Sequence, residues 1–500
     1  MRRLVLAALC TGVLACHAGP PIPDEPTPDA GLPDGGSPLP DGGTQGLTLQ
    51  GTTYYLGGTT LEQAPRPFGT PEERLPKVLF SDGAGGFTPV TGQVVAEGQV
   101  FYPNVPLDSG PVWLELDNGW HQITASPAVF NLAVPARKKL TGFPGQEAVT
   151  LNFTGLEAWK HEVHELELFV PSQNMFRGPY SSSLSQSFSE GSTSATSAVT
   201  ADQLSVGALS PSEGDRVYVY QVDHTVISST PPSDFSSRVV AAGVITDLSL
   251  PSASGAQRTV PMNQAPKRAV SIQVDAPGFE AASERPSTPT RDLSIRLLVE
   301  AHQPVPAGAY EAWRNVPTLV ERFMLDRSTQ LSTAPTQSFS WATSYADAFA
   351  ASAPRFVSAT FTTATTLIEP EGGQRQRPVI VSTRQRVPAE GTWTLSPVIS
   401  VPRQVRIEGV EKDGVTTVSG RAHLSWSAPT RGTASSYFIE IYFVNQANYV
   451  LGRFHTSSTE FVIPINLQEG RLHYAVITAL GKDGEREGSA SALSGFFRGP

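Results

Sequence analysis

Short runs in which apolar and polar residues alternate place the tightest limit on what this chain can fold into. Each run is rich in Val, Ile or Tyr and is bounded by Gly, Pro, Asn or Ser, which is typical of antiparallel strands. The clearest are QVVAEGQVFY (93–102), PVWLELDNG (111–119), RVYVYQVDH (216–224), RVVAAGVIT (238–246) and DLSIRLLVE (292–300). The chain is therefore predicted to be all-β, with antiparallel β-sandwiches. Two short helices are expected where the spacing is helical, in VPTLVERFML (316–325) and SYADAFAAS (344–352).

The length predicts several domains. Residues 47–500 are too many for one core at about 100–200 residues per domain, so we expect three or four. Turn-rich segments place them at 47–140, 141–265, 266–397, where the short helices lie, and 398–500. Because no repeat of fixed period supports the middle boundary, one double-layered domain over 141–397 is the alternative.

The first 15 residues, MRRLVLAALCTGVLA, are predicted to be a signal peptide. Two arginines precede an apolar run that is too short to cross a bilayer, and small residues lie near the cut. Val13-Leu14-Ala15-Cys16 resembles the lipobox of bacterial lipoproteins, which implies an acyl anchor at Cys16. Cleavage there leaves a single cysteine, which needs a partner or a modification. An ordinary signal peptide is the alternative.

Residues 16–46 are predicted to be a disordered linker. Pro-Asp-Ala-Gly or Pro-Asp-Gly-Gly occurs three times between residues 28 and 43. Such a segment has almost nothing apolar to bury and cannot offset the entropy of ordering. A lipid-bearing cysteine followed by this linker is a tether that holds the domains off a membrane. In enteric lipoproteins an acidic residue after the cysteine causes inner-membrane retention, so His17 favours the outer membrane.

The last hundred residues resemble a fibronectin type III domain. HLSWSAPT (423–430) and SYFIEIYFVN (436–445) alternate as its strands do, and Trp426 occupies the family's strand-B tryptophan position. The remaining matches are Leu467, Gly470, Ala479, Gly484 and Ser489. The resemblance implies a two-sheet sandwich over 398–500.

One position departs from the family pattern. His473 aligns with the strand-F tyrosine, and Tyr474 follows one place later. Because side chains alternate between the faces of a strand, Tyr474 is predicted to point away from the sandwich core unless a bulge intervenes.

No catalytic signature is found. No serine has glycine two places before and two after it, and Cys10 and Cys16 are the only cysteines. WKHEVHELEL (159–168) is similar to a zinc-protease helix, but one residue rather than two separates Glu162 from His164. A strand with His164, Leu166 and Leu168 on one face is favoured, and a loose metal site is the alternative. No metal and no cofactor is predicted.

Two further features each allow two interpretations. GGQRQRPVIVSTRQRVP (372–388) carries arginines on alternating positions, which favour an exposed sheet edge and leave a site for an anionic ligand as the alternative. They are Arg375, Arg377, Arg384 and Arg386. Trp113 and Trp120, near Tyr102, suit either core packing or a sugar-stacking platform, and core packing is favoured.

These observations predict a non-enzymatic, exported envelope lipoprotein whose β domains serve binding, adhesion or scaffolding. Its expected partners are the bilayer, through Cys16, and an unidentified protein or glycan. Nucleic acid is excluded, because the net charge is −10. The main alternative is a glycan- or peptidoglycan-active hydrolase in residues 141–397, with the fibronectin-like domain as a spacer. A subunit of a larger outer-membrane assembly is the third hypothesis.

Overall fold

The computed structural model describes residues 46–500 except for short segments. Those are 56–61, 71–73, 82–85, 106–110, 117–118, 124–128, 137–147, 174, 178–187, 201–208, 231–232, 251–254, 285–290, 301–315, 327–336, 369–372, 412–414, 419 and 445–448. The regular structure of the described residues is almost all strand. One α-helix, α1 (Ala276–Ala282), and two 3-10 turns (Pro171–Gln173 and Pro211–Glu213) accompany the strands. The all-β prediction is confirmed.

The strands form four two-sheet units in chain order. Unit 1 contains β1 (Gly46–Tyr55), β2 (Glu62–Pro65), β3 (Val78–Ser81), β4 (Phe87–Val90), β5 (Gln93–Ala96), β6 (Gln99–Pro103), β7 (Val112–Leu116), β8 (Gly119–Ile123) and β9 (Val129–Ala136). Unit 2 contains β10 (Ala148–Thr154), β11 (His164–Val170), β12 (Met175–Arg177), β13 (Ser194–Thr200), β14 (Val217–Ser228), β15 (Ser233–Ile245) and β16 (Gln257–Pro261).

Units 3 and 4 complete the chain. Unit 3 contains β17 (Lys267–Val274), β18 (Arg291–Val299), β19 (Thr318–Asp326), β20 (Phe339–Ala346), β21 (Arg355–Ile368), β22 (Gln374–Val387) and β23 (Gly391–Leu395). Unit 4 contains β24 (Arg403–Ile407), β25 (Val410–Glu411), β26 (Val415–Thr417), β27 (His423–Ser427), β28 (Ala434–Phe443), β29 (Tyr449–Thr456), β30 (Glu460–Val462), β31 (Leu472–Asp483), β32 (Arg486–Leu493) and β33 (Phe496–Arg498).

Units 1, 2 and 3 repeat one topology that the sequence does not reveal. In one sheet of each unit, the first strand lies between an antiparallel strand and the unit's last strand, which runs parallel to it. This sheet has three strands in units 2 and 3 and five strands in unit 1. The triplets are β6-β1-β9, β13-β10-β16 and β20-β17-β23. The other sheets have the equivalent orders β4-β3-β7-β8, β12-β11-β14-β15 and β19-β18-β21-β22. The three units therefore share a strand order, although no repeat is visible in their sequences.

Unit 4 has the two-sheet arrangement that its resemblance implies. One sheet pairs β24 with β27 and β27 with β30, and the other has the order β29-β28-β31-β32. Trp426 is buried between Tyr437 and Phe461. The fibronectin type III-like fold is confirmed.

The position of Tyr474 is also as predicted. His473, Ala475 and Ile477 share the buried face of β31, whereas Tyr474 stacks on its cross-strand neighbour Tyr442 on the other face. The pairing of β28 with β31 contains no register shift at this point, so Tyr474 stays on the face opposite His473, where it is nevertheless buried, with 3% exposure, at the edge of the core shared by units 3 and 4.

One sheet of each unit joins a continuous sheet, here called the long sheet: β4-β3-β7-β8, β12-β11-β14-β15, β19-β18-β21-β22 and β29-β28-β31-β32. β15 pairs with β19 between units 2 and 3, and β22 pairs with β32 between units 3 and 4. β29 then pairs in parallel with β8. Unit 1 is therefore docked on unit 4, and the spatial order of the units is 2, 3, 4, 1.

The apolar cores follow from strand alternation. In β18 the side chains of Leu293, Ile295 and Leu297 are buried, while Ser294 and Arg296 point to the other face. Units 1 and 2 each have a core of their own, and units 3 and 4 share a larger one that also takes in residues of the other two units, such as Trp113 of unit 1 and Tyr220 of unit 2.

Both predicted helices are wrong. Residues 318–326 form β19, and a register shift opposite Leu297 and Leu298 lets the adjacent Leu319 and Val320 both be buried. Two consecutive inward residues disturb the period of two and imitate helical spacing. Residues 344–346 end β20, after which Asp347 accepts hydrogen bonds from the buried Arg355 guanidinium and fixes an irregular loop.

Candidate functional site

One face of the long sheet in unit 3 is not covered by the unit's smaller sheet. Ile295, Ala359 and Val381 point inward to the core. Their neighbours along β18, β21 and β22 point outward and are only partly buried. We call this surface the open face, and it continues onto β19 and the first half of β15.

A row of hydroxyl groups crosses the open face. Ser294, Thr360 and Ser382 are cross-strand neighbours on β18, β21 and β22. The Thr360 and Ser382 hydroxyl oxygens lie 3.0 Å apart, which is hydrogen-bond distance. Strand register alone places these three groups at intervals of about 4.8 Å.

Two phenylalanine side chains continue this row. Phe323 is the cross-strand neighbour of Ser294, and Phe235 is the neighbour of Phe323 on β15. Both are partly exposed, and neither belongs to an apolar core of the described residues. The row from Phe235 to Ser382 spans about 19 Å, as four strand spacings require.

A charged row runs beside the hydroxyl row, and its charges are paired within the protein. Arg296 donates from Nε to Glu321 Oε1 at 2.7 Å. Arg384 donates to Glu300, and its guanidinium lies 3.8 Å from the centroid of the Phe356 ring. Two arginines thus meet two glutamates, and the open face carries no net charge from these groups.

The sequence-predicted strand at His164 is confirmed. His164, Leu166 and Leu168 face the unit 2 core, and Glu165 and Glu167 lie on the opposite face. The His164 Nδ1 atom lies 2.9 Å from the Gln221 amide nitrogen, and burial lowers the pKa of this imidazole. His161 and Glu162 lie in a turn before the strand. Among the described residues, no group of three or more His, Cys, Asp and Glu could hold a metal ion.

Glu167 has the most perturbed carboxyl group of that segment. Burial raises its pKa to about 8, and the neighbouring carboxylates of Glu165 and Glu321 add to the effect. Its cross-strand neighbour is Tyr220, and Phe349 of unit 3 packs over Tyr218 and Tyr220. Glu167 is 8% exposed and lies at the junction of units 2 and 3. With a pKa of about 8, its carboxyl group is mainly protonated and uncharged at neutral pH.

The arginines of residues 372–388 do not line a sheet edge throughout. Residues 381–385 pair with β32, so this part of β22 lies inside the long sheet. Arg384 is paired with Glu300, and the Arg377 guanidinium lies over the Tyr474 ring. Arg386 is exposed. The side chain of Arg375 lies outside the described residues.

Trp113, Trp120 and Tyr102 are buried, so they do not form an exposed sugar platform. Tyr102 packs in the unit 1 core and donates a hydrogen bond to the Pro76 carbonyl. Trp113 packs against Phe454 and Phe461 of unit 4, at ring-centroid distances of 5.8 and 5.5 Å. These contacts form what we call the seam, where unit 1 docks on unit 4.

Two histidines complete the seam. The rings of His121 and His455 stack with centroids 4.0 Å apart and planes 5° from parallel. Burial lowers the pKa of His121 to about 4, and burial, followed by the charges of His121 and Arg453, lowers the pKa of His455.

The predicted anchor, Cys16, and the linker up to residue 45 lie outside the described residues. Within the part of the chain that is described, no helix has the length and apolar character needed to cross a membrane.

Sequence reasoning missed the open face. A weak signal was present, because outward positions of β21 are polar: Ser358, Thr360 and Thr362 alternate with buried residues. The signal could not be used, since the strands that share the row are separated by long stretches of chain. Their neighbourhood depends on pairing that a single sequence does not specify.

Comparison with known proteins gives no family. No family model matches the chain, and no curated protein matches it. Among solved structures, a two-domain fibronectin type III segment of chicken tenascin is similar over 42% of this chain and 93% of its own, with 12% identity and a TM-score of 0.15. A DUF3823 family protein of Bacteroides uniformis covers 46% and 99%, with 11% identity and a TM-score of 0.15.

A streptococcal ancillary pilin covers 71% of this chain and 98% of its own, with 10% identity and a TM-score of 0.11. Similarities at these TM-scores carry no argument. The fold of the four units is defined by their own strand order and register.

Proposed function

We propose that this protein is an exported, lipid-anchored envelope protein that acts as a rigid binding platform and not as an enzyme. The observation that carries the proposal is the long sheet, which passes through all four units without interruption. Tandem domains joined by flexible linkers would move independently. Here backbone hydrogen bonds and shared apolar cores link each unit to the next, so a ligand-binding face is held in a fixed orientation.

The spatial order of the units determines which of them lie far from the proposed anchor. The predicted lipid at Cys16 and its linker lead into β1, and unit 1 lies at one end of the long sheet. Unit 2 ends the sheet at β12. Sixteen strands lie along this path, from β12 to β4, so the two ends are separated by about 70 Å measured along the sheet. Units 2 and 3 are thereby presented away from the proposed anchor.

Metabolic labelling tests the anchor. An alkyne fatty acid supplied to the producing cell should label the wild-type protein and leave Cys16→Ala unlabelled, and the variant should move to soluble fractions. Cys10→Ala is the matched control, because that cysteine lies in the predicted signal peptide and is absent after cleavage. Equal labelling of wild type and Cys16→Ala would refute lipidation at this position.

A substrate panel tests the absence of catalysis. Purified protein starting at residue 47 is incubated with polysaccharides, peptidoglycan and peptides, and released reducing ends and amines are measured. We expect no turnover. Turnover that is abolished by changing one carboxylate would overturn the non-enzymatic proposal and establish the hydrolase. A stoichiometric protein that co-purifies from detergent-solubilised envelopes would instead favour the assembly subunit.

A further inference from the structure

We propose that the open face binds an uncharged polysaccharide, in a row running from Phe235 and Phe323 across Ser294, Thr360 and Ser382. This inference rests on the proposed binding function and names the class of ligand. It starts from the fact that one face of unit 3's larger sheet carries a continuous row of hydroxyl and aromatic side chains with paired charges beside it, while outward apolar side chains such as Leu298 and Ile380 lie outside this row.

The charge pattern selects an uncharged ligand. Arg296 is held by Glu321, and Arg384 is held by Glu300 and the Phe356 ring. An anionic polymer would have to displace these carboxylates, and a cationic one would have to displace the guanidinium groups. A ligand without charge can accept and donate hydrogen bonds at the edges of these pairs without breaking them.

The side chains of the row match the two kinds of surface on a sugar ring. Serine and threonine hydroxyls both donate and accept hydrogen bonds, as sugar hydroxyls do. The face of an aromatic ring is electron-rich and attracts polarised C–H groups, which line the flat side of a pyranose. Phe235 and Phe323 lie side by side at one end of the hydroxyl row, so a chain of sugars along the row would contact both kinds of group.

A protein partner fits this face less well. The buried centres of protein–protein interfaces are depleted in serine and in charged residues. The open face has Ser294, Ser358 and Ser382, and two arginine–glutamate pairs lie beside them. The row is about 19 Å long, which suits an extended oligosaccharide lying across five strands.

Thr360→Arg is the decisive variant, because it places a long charged side chain in the middle of the row. Thr360 is partly exposed on the outer face, so the change leaves the core intact. Thr366→Arg is the matched control: it lies on the same face of β21, is exposed, and is outside the row. Phe235→Ala is a second variant, since its ring is outside the described cores.

Binding is measured by affinity electrophoresis and calorimetry on the protein starting at residue 47, with dextran, mannan and hydroxyethylcellulose as neutral probes and alginate as the charged probe. We expect at least one neutral probe to bind with little dependence on salt. Thr360→Arg and Phe235→Ala should each weaken that binding at least tenfold, and Thr366→Arg should leave it unchanged.

Several results would overturn the inference. They are binding of no neutral probe, salt-sensitive binding of alginate alone, or equal affinity of Thr360→Arg and wild type. A dimer that Thr360→Arg converts to a monomer would show that the face binds a second copy of the chain. None of these results affects the labelling at Cys16 or the absence of turnover, so a failure of this inference is distinct from a failure of the proposed function.

Discussion

The seam between units 1 and 4 and the junction between units 2 and 3 have similar packing, but the seam buries basic side chains and the junction buries an acidic one. Each is an apolar contact between aromatic side chains that also buries an ionisable group. At the seam the buried groups are His121 and His455, and at the junction the buried group is Glu167. Burial favours the neutral form in both cases, so it lowers the pKa of the bases and raises that of the acid.

The two contacts also differ in how much backbone pairing supports them. β15 and β19 share six register pairs at the junction, whereas β8 and β29 share two at the seam. The seam therefore depends on side chains, mainly on Trp113 against Phe454 and Phe461 and on the histidine stack. This difference shows that a sheet can be continued either by hydrogen bonds or by the packing of a few large residues, and mutation can separate the two.

Trp113→Ala should have the largest effect on the seam. Removing a buried tryptophan costs about 3–5 kcal/mol, and here the loss falls on the contact with unit 4. We expect faster hydrogen exchange in residues 119–123 and 449–456, together with earlier unfolding of unit 1 in denaturant. Trp159→Ala is the control, because Trp159 is as deeply buried but lies in the unit 2 core. Equal protection of the seam in both variants would contradict this assignment.

Glu167→Gln should stabilise the junction at neutral and alkaline pH. The folded-state pKa of Glu167 is about 8, above the ordinary value of 4.5, so its contribution is complete below pH 4.5 and is lost as the pH rises towards 8. An amide has no charge to bury and avoids that loss, which corresponds to about 3 kcal/mol at pH 7. Unfolding midpoints measured at pH 5 and pH 8 check this.

The control for that measurement is Glu162→Gln, which lies in the exposed turn before β11. It should change neither midpoint. A Glu167→Gln variant that is less stable than wild type at pH 8 would show that the carboxylate is partnered in the folded protein.

The fold could be predicted from the sequence where the residue pattern within a single strand is sufficient to identify that strand. Alternation identified β18 and β14, and Trp426 with its companions indicated the fibronectin-like unit. β19 was misread because the buried Leu319 and Val320 are consecutive at a bulge, which a pattern cannot distinguish from a helical turn.

The candidate site and the seam could not be predicted from the sequence, for a different reason. Both depend on pairs that are distant in sequence, such as Ser294 with Thr360 and His121 with His455. The sequence did indicate that Trp113 and Trp120 pack in a core, but not that Trp113 packs against unit 4.

Acid should weaken the seam, in contrast to the junction. The ordinary pKa of histidine is 6.5 and that of His121 in the folded protein is about 4, so the stabilising contribution is complete above pH 6.5 and is lost as the pH falls towards 4. For His121 alone the loss is about 2 kcal/mol at pH 5. Hydrogen exchange in residues 449–456 at pH 7.5 and pH 5, corrected for the intrinsic rates, measures it.

The double variant His121→Phe with His455→Phe should abolish this dependence, because phenyl rings can stack but cannot take up a proton. His423→Gln, at a partly exposed position of unit 4 away from the seam contacts, is the control and should behave as wild type. If the double variant opens at pH 5 as the wild type does, the histidines do not control the seam.

Gly119→Ala should give the smallest effect and isolate the backbone contribution to the seam. Gly119 has a φ of +129°, which L residues rarely adopt, and an added Cβ would lie 2.5 Å from the Arg453 carbonyl oxygen. The strain and the contact should together cost roughly 1–2 kcal/mol and separate β8 from β29, while Trp113 remains in place. Gly484→Ala is matched for positive φ but meets nothing within 4 Å. Hydrogen exchange at the seam should become faster in Gly119→Ala alone. An equal increase in both variants would show that backbone conformation causes the effect. The close approach of β8 to β29 would then not contribute to holding unit 1 on unit 4.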